Sequence, residues 1–140
     1  MSRPAVIVDT NVVVAGLLTR QDTSPVARIL DGMLGAAFPF VLSEPLLAEY
    51  RAVLVRPVLR RLHGLTVAEV EAVLTDLVQH AIILAPAAAP PAPDPGDQLL
   101  WELLAARADL VLVTGDKRLL RDAGMRGRVI PPSVFVAATD

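Results

Sequence analysis

Five short apolar runs alternate with helix-like segments along the chain, and this alternation sets the expected fold class. AVIVD at residues 5–9 is a continuous and mainly β-branched run, which is typical of a strand buried on both faces. The other strand-like runs lie at residues 38–43, 81–85, 110–114 and 128–130. Strands separated by helices predict a parallel sheet with helices on both faces. We therefore expect a three-layer α/β/α fold with a central, mainly parallel sheet of about five strands.

Helix signals occupy the segments between these runs. Ser24 and Pro25 are a cap and a first-turn proline, so a helix is expected from about residue 24. Thr66, with Glu69 three residues later, forms a capping box for a helix over residues 65–81. The remaining helices are expected directly after the first run, over residues 43–54, over about 95–107, and in a short piece after residue 116.

The amino-acid composition narrows the number of domains, the cellular compartment and the classes of site that the chain can have. The 140 residues form one expected domain, 1–140, and the proline-rich segment PAAAPPAPDP at 86–95 is interpreted as an internal loop. The chain has no cysteine, which excludes a disulfide framework and thiolate metal sites and suits a reducing cytoplasm. No targeting segment is recognised, and no apolar run approaches the ~20 residues of a membrane span. The net charge of −2 says little about partners, since a nucleic-acid binder recognised by charge alone would be strongly basic.

Acidic residues follow two of the predicted strands. Asp9 interrupts the apolar run VIVDTNVVVAGLL, and a buried carboxylate costs several kcal/mol unless it is paired, hydrogen-bonded or metal-bound. Asp116 comes just after LVLVT at 110–114. Ligands of open parallel sheets bind beyond the carboxyl ends of the strands, so Asp9 and Asp116 are expected at one edge. Asp109 precedes the same strand and belongs to the opposite edge.

Two further carboxylates are placed by helical geometry. Glu49 lies within about 60° of Leu46 and 40° of Val53 on the apolar stripe of its helix, although a glutamate at the edge of the stripe can also snorkel outward. Asp97 shares a helix face with Trp101 and so points toward the sheet, or it is the acidic half of a capping box. Asp94, followed by a proline, has a sufficient explanation as a helix cap.

Four of these carboxylates converge on one end of the sheet, where they would repel one another strongly. A bound divalent cation is the simplest way to offset this repulsion. His63 and His80 are interpreted as surface residues, so the ligands are oxygens and the ion is Mg²⁺ or Mn²⁺. The converging residues are Asp9, Glu49, Asp97 and Asp116.

Three stretches in this order, VDTNVVVAGLL, LSEPLLAEYRAVLVRP and DPGDQLLWELLAARADLVLVTGDKRLL, resemble the PIN domain family of nucleases, in particular its prokaryotic VapC-like toxins. The family's acidic positions match the four carboxylates above. Its supporting polar positions match Asn11 and Thr114. The proline-rich loop leaves open whether Asp94 or Asp97 is the metal-site acid.

The resemblance implies a metal-dependent endoribonuclease with one or two Mg²⁺ or Mn²⁺ ions, in which Asp9 and Asp116 are direct ligands and Glu49 and Asp97 complete the cage or orient water. As the toxin of a toxin–antitoxin pair it would have an RNA substrate and a cognate antitoxin protein, and it would form a homodimer. Near the proposed site, phosphate contacts are expected from the basic residues Lys117, Arg118 and Arg121.

Other interpretations remain open. A second arginine group lies at residues 51, 56, 60 and 61, and either basic group could be solvated helix-end charge. An aspartyl-nucleophile phosphohydrolase or a receiver-like domain has a similar layout, but both expect an additional acid near Asp9, where this chain has Asn11 at the second position after it. A catalytically inactive PIN-like module that binds RNA or protein is the remaining alternative.

Overall fold

The computed structural model describes residues 4–125 and 127–139. The predicted domain 1–140 therefore includes residues 1–3, 126 and 140, which lie outside the described part. Within it the order of elements is β1 Val6–Val8, α1 Thr10–Leu18, α2 Pro25–Leu34, β2 Val41–Leu42, α3 Glu44–Leu54, α4 Pro57–His63, α5 Val67–His80, β3 Ile82–Ile83, α6 Gln98–Leu104, β4 Val111–Val113, α7 Lys117–Leu120, β5 Val129–Ile130 and α8 Pro132–Thr139. A 3₁₀ turn over Pro95–Asp97 precedes α6.

All strand pairs in this part of the chain are parallel. One sheet has the order β1-β4-β5 and a second pairs β2 with β3. The two sheets are joined by a single parallel bridge between Val6 and Phe40. The predicted α/β class with a parallel sheet is confirmed, and all five predicted strands are present. The expected single sheet of about five strands is only partly formed, because one bridge is its only ladder connection between β2 and β1.

The core surrounds the central strands. Consecutive residues of β1 are buried, including Ile7 and Val8 at 0% exposure, so both faces of this strand are covered. In β4, Leu112 and Val113 are equally buried. Helix α2 turns Ile29 and Met33 into the same hydrophobic cluster. The polar residues that follow β1 and β4 are thus held by a rigid apolar base.

The predicted helix starts are confirmed. The Ser24 hydroxyl accepts a hydrogen bond from the Ala27 N–H at 3.3 Å. The capping box is complete, because Thr66 Oγ1 accepts from the Glu69 N–H at 3.1 Å and Glu69 Oε1 accepts from the Thr66 N–H at 3.0 Å. These bonds satisfy backbone groups that a helix terminus would otherwise leave unpaired.

Two helices, α4 and α8, were not predicted, and both begin at a proline. The helix expected over residues 43–54 ends as predicted, and Pro57 opens the next helix, where its missing N–H is harmless. Helix α4 has seven residues, none of them buried, and offers only a short apolar spacing to detect. It ends at Gly64, whose φ of 73° suits glycine in a left-handed cap.

The proline-rich segment has no helix or strand between residues 84 and 92. It is nevertheless tied to α6: the Ala87 N–H donates to the Glu102 carbonyl at 2.9 Å, and the Ala92 N–H donates to Gln98 Oε1 at 2.7 Å. These bonds set where the chain enters α6. No helix among residues 4–125 and 127–139 is both long and apolar enough to cross a membrane.

Candidate functional site

A cleft of about 480 Å³ lies beyond the carboxyl ends of β1 and β4. One wall is apolar and includes Val14 and Leu18 of α1 and Val53 of α3. The polar part of the lining contains all four carboxylates that the sequence analysis singled out, Asp9, Glu49, Asp97 and Asp116. The structure therefore brings residues separated by more than a hundred positions to one opening.

Asp9 is the most buried of these carboxylates, with 7% of its surface exposed. Its Oδ1 accepts a hydrogen bond from the Thr10 N–H at 2.7 Å, which caps α1. Its Oδ2 accepts from the Thr114 hydroxyl at 2.8 Å and from Asn11 Nδ2 at 3.3 Å. Burial raises the pKa of Asp9, the bonds from Thr114 and Thr10 oppose this, and Glu49 and Asp116 raise it further through repulsion. The compensation demanded by this buried carboxylate is thus supplied in part by hydrogen bonds.

Asn11 and Thr114 link the ends of β1 and β4. Asn11 Nδ2 donates to Thr114 Oγ1 at 3.3 Å, and Asn11 Oδ1 accepts from the Gly115 N–H at 3.1 Å. Thr114 Oγ1 also accepts from the Asp116 N–H at 3.0 Å. This network places Asp116 in a defined position relative to Asp9, which suits the supporting role expected of both polar residues.

Asp116 caps the short helix α7. Its Oδ1 accepts from the Arg118 N–H at 2.8 Å, and its Oδ2 lies 3.3 Å from Arg118 Nη2. Burial raises the pKa of Asp116, but the hydrogen bonds and charge of Arg118 outweigh it and leave the pKa below its usual range. Arg118 Nη1 also pairs with Asp94 Oδ2 at 3.4 Å. Arg118 therefore neutralises one acid of the cleft and one beside it.

Glu49 is half-buried on α3 and has no hydrogen bond or ion pair within the described residues. The next residue, Tyr50, is completely buried, and its hydroxyl donates to the Val8 carbonyl, one residue before Asp9. Tyr50 thus fixes α3 against the end of β1. The sequence analysis missed this residue, although a tyrosine on an apolar stripe signals a hydroxyl that needs a buried partner.

Asp97 and Asp94 occupy different surroundings. Asp97 makes no side-chain capping bond, so the capping-box alternative is not formed, and its carboxylate lines the cleft. Burial raises the pKa of Asp97, and repulsion from Asp9, Asp94 and Asp116 adds to this. Asp94 caps the 3₁₀ turn through the Gly96 N–H at 2.8 Å and does not line the cleft. Position therefore favours Asp97 over Asp94 as a metal-site acid.

The oxygen donors of the cleft match a metal ion in their chemistry but are not arranged around one point. Among the described residues, no three His, Cys, Asp or Glu side chains are close enough to hold an ion together. Their chemistry nevertheless fits a hard divalent cation, since all four donors are carboxylates, and burial, together with repulsion between them, raises the pKa values of Asp9 and Asp97. Thr10 Oγ1 is also buried without a hydrogen-bond partner in that part of the chain, and Thr10 lines the cleft. Ligation therefore requires the carboxylates to turn toward one another.

The basic residues lie on two sides of the cleft. Lys117, Arg118 and Arg121 are exposed on and after α7. Arg56 lines the cleft itself, whereas the sequence analysis placed it only in the second arginine group and preferred the basic residues that follow Asp116. Asp109 is at the opposite edge, as expected, and is ion-paired with Arg107 at 2.6 Å.

The two histidines take no part in the site. His63 Nε2 is hydrogen-bonded to the Leu54 carbonyl and His80 Nδ1 to the Asp76 carbonyl, each at 2.9 Å. Neither residue lines the cleft.

Comparison with known proteins gives one match. A family model described as "PIN domain" matches residues 5–118, a span that contains all four carboxylates. A search of curated proteins finds no match.

Proposed function

The chain belongs to the PIN domain family, and from this premise we propose that it is a divalent-metal-dependent endoribonuclease that hydrolyses RNA phosphodiester bonds. PIN domains are generally nucleases and generally use divalent metals. The observation that carries the proposal is the meeting of four carboxylates in one cleft beyond the strand ends, those of Asp9, Glu49, Asp97 and Asp116.

One or two Mg²⁺ or Mn²⁺ ions in this cleft would supply an activated water and stabilise negative charge on the scissile phosphate. We assign direct binding of the ion to Asp9 and Asp116, which stand at strand ends and are linked through Thr114. Asp9 keeps its orientation because three donors contact its oxygens. The assignment fits the preference of these ions for oxygen ligands.

Glu49 and Asp97 have the complementary role. Neither carboxylate is engaged by a hydrogen bond or ion pair within the described residues, so each can accept a hydrogen bond from the attacking water or complete the ligand cage. Glu49 lies on α3, which the buried Tyr50 fixes against β1, and Asp97 ends the 3₁₀ turn directly before α6, whose Trp101 is buried. We propose that they orient water toward the phosphate.

Substrate contacts on the α7 side are proposed for Lys117, Arg118 and Arg121. All three are exposed, and Asp116 precedes Lys117 directly. Exposed arginine and lysine side chains are the usual contacts of phosphate oxygens. Arg118 would exchange its carboxylate partners for a phosphate when RNA binds.

We further propose that the nuclease is the toxin of a toxin–antitoxin pair, a cytoplasmic homodimer held inactive by a cognate antitoxin protein. A free endoribonuclease would harm its host, which calls for such an inhibitor. Induced expression of the wild-type chain should then arrest growth, and the Asp9→Asn variant should not. Growth that is arrested equally by both would contradict the toxin assignment.

The nuclease proposal is tested by incubating the purified chain with a mixed RNA pool in Mg²⁺, in Mn²⁺ and in EDTA. We expect cleavage with either metal and none in EDTA. A protein that binds metal in a thermal-shift assay but cleaves no RNA would instead favour the inactive binding module. Hydrolysis of a small phosphate ester without RNA cleavage would favour the aspartyl-nucleophile alternative.

A further inference from the structure

A second basic surface borders the carboxylate cleft on the side of α3 and α4. Between Glu49 and Glu69 the sequence has four arginines and no acidic residue, in a chain whose net charge is −2. Arg51, the first of the four, is paired with Glu71 at 2.7 Å. The other three are exposed and have no ion pair within the described residues, and we call them the α4 arginines: Arg56, Arg60 and Arg61.

The α4 arginines continue outward from the cleft. Arg56 lines it together with Glu49 and is the one basic residue that does so in the described part of the chain. Arg60 follows one helical turn later, since its N–H donates to the Arg56 carbonyl at 2.9 Å. Residues so related are about 5–6 Å apart at their Cβ atoms. Positive charge therefore extends from the lip of the cleft along α4.

This surface lies across the cleft from α7. In the strand order, β2 and β4 flank β1, which ends at Asp9. Helix α3 follows β2 and leads into α4, whereas Asp116 and α7 follow β4. The α4 arginines and the basic residues of α7 are thus on opposite sides of Asp9.

Electrostatics explains why two such sides are needed. Four carboxylates line the cleft between them, and their field repels the phosphates of RNA. A polyanion is held over an acidic centre only if cationic groups on its flanks provide the attraction. One basic side would tether the substrate, whereas two define a path across the reacting atoms.

Helix α4 also exposes apolar side chains. Val58 and Leu62, one helical turn apart, are 59% and 64% exposed. Unpaired bases offer apolar faces to such side chains, whereas a duplex presents its backbone and grooves. The combination of cations and apolar surface therefore favours a single strand.

We propose that the α4 arginines bind the backbone of a single RNA strand that crosses the cleft from α4 to α7, with Val58 and Leu62 against unpaired bases. This inference rests on the proposed ribonuclease function. It adds a second binding surface, distinct from the residues of α7.

The test is the salt dependence of RNA binding. A short fluorescein-labelled single-stranded RNA is titrated with the full chain in EDTA, and the anisotropy gives the binding constant at several salt concentrations. The Arg60→Gln/Arg61→Gln double variant should lower the slope of log K against log salt by roughly 1.4, since each phosphate contact on a single strand contributes roughly 0.7. The wild-type chain should also bind the single strand more tightly than the duplex of the same sequence.

Two controls distinguish an effect of the α4 arginines themselves from a general effect of positive charge on RNA binding. Arg60→Lys/Arg61→Lys keeps both charges and should keep the wild-type slope. Arg107→Gln, at the opposite edge of the sheet, should also leave the slope unchanged. A wild-type slope in the Arg60→Gln/Arg61→Gln variant, or an equal loss of slope in Arg107→Gln, would contradict RNA binding by the α4 arginines. Metal-dependent cleavage by the wild-type chain would still support the ribonuclease proposal in that case.

Discussion

The Thr114 hydroxyl donates to Asp9 Oδ2 at 2.8 Å across 105 positions of sequence. The oxygen of that Thr114 hydroxyl also accepts a hydrogen bond from the Asp116 N–H at 3.0 Å. One side chain thus connects the carboxylate that follows β1 with the carboxylate that follows β4. This contact depends on the parallel pairing of Val8 with Val113, which brings the two strand ends side by side.

Thr114→Val should therefore remove the hydrogen-bonded link between Asp9 and Asp116. The variant retains the side-chain shape but leaves the Asp116 N–H and one Asp9 oxygen without this partner, at a cost of about 1–3 kcal/mol in the free energy of unfolding. Metal-dependent cleavage should fall by at least tenfold. Urea denaturation and single-turnover cleavage check both effects.

Thr114→Ser is the matched control because it retains the hydroxyl. It should stay close to the wild type in both measurements. Equal losses in the serine and valine variants would show that the hydroxyl alone does not account for the effect, since serine keeps the hydroxyl that valine lacks.

Asp97→Asn should stabilise the metal-free protein at neutral pH. Burial and three neighbouring acids raise the pKa of Asp97, so its favourable contribution to stability is present below the usual pKa of an aspartate and is lost as pH rises through the raised value. The gain in the variant should be less than about 1 kcal/mol, because solvent screens this half-exposed group.

Melting temperatures in EDTA between about pH 4 and pH 7 measure the effect of Asp97→Asn. The difference between variant and wild type should be near zero at the acidic end and should grow toward neutrality. A variant that is less stable than the wild type at pH 7 would show that Asp97 has a stabilising partner instead of repelling neighbours.

Much of the fold follows from local sequence patterns. The continuous apolar runs identify all five strands, and Ser24 and Thr66 mark helix starts through capping chemistry that acts within four residues. Helix α4 was missed because it has only seven residues, none of them buried, and its apolar pair Val58 and Leu62 is too short a pattern to identify a helix. Nor could local patterns show that a single bridge at Val6 would join the two sheets.

Part of the candidate site could likewise be predicted from local sequence patterns, and part could not. The four carboxylates were found because each is anomalous locally, at a strand end or on an apolar helix stripe. Tyr50 was not found, and Arg56 was not distinguished from the other arginines of its group, since their significance depends on tertiary neighbours: a backbone carbonyl of β1 for Tyr50 and the cleft wall for Arg56. The choice between Asp94 and Asp97 likewise needed the position of the docked proline-rich loop.

Tyr50→Phe should reduce stability without preventing folding. The change removes the donor to the buried Val8 carbonyl and leaves that acceptor unsatisfied, which costs about 1–3 kcal/mol in the free energy of unfolding. Urea denaturation measures it. The exposed Val58→Ala serves as a control and should change stability by less than about 0.5 kcal/mol. A similarly small change in stability for Tyr50→Phe would show that the Tyr50 hydroxyl does not anchor α3.

Arg118→Gln should change metal and RNA binding in opposite directions. Arg118 lies 3.3 Å from an oxygen of Asp116 and would compete there with a cation bound as proposed. Its removal should tighten Mn²⁺ binding roughly threefold, about 0.7 kcal/mol for one screened charge pair, and should weaken binding of single-stranded RNA. Calorimetric titration with Mn²⁺ provides the first value. Weaker Mn²⁺ binding would mean that Arg118 organises Asp116 for the metal.

The most direct measurement of the central claim compares Asp116→Asn with Asp109→Asn in single-turnover cleavage of RNA at saturating Mg²⁺ or Mn²⁺. The two aspartates flank the same strand, β4, but only Asp116 lies at the end that holds the cleft. We predict that Asp116→Asn loses at least a hundredfold in rate, while Asp109→Asn, which breaks only an exposed pair with Arg107, cleaves like the wild type. A folded Asp116→Asn protein that cleaves at the wild-type rate would contradict the assignment of the active site to this cleft.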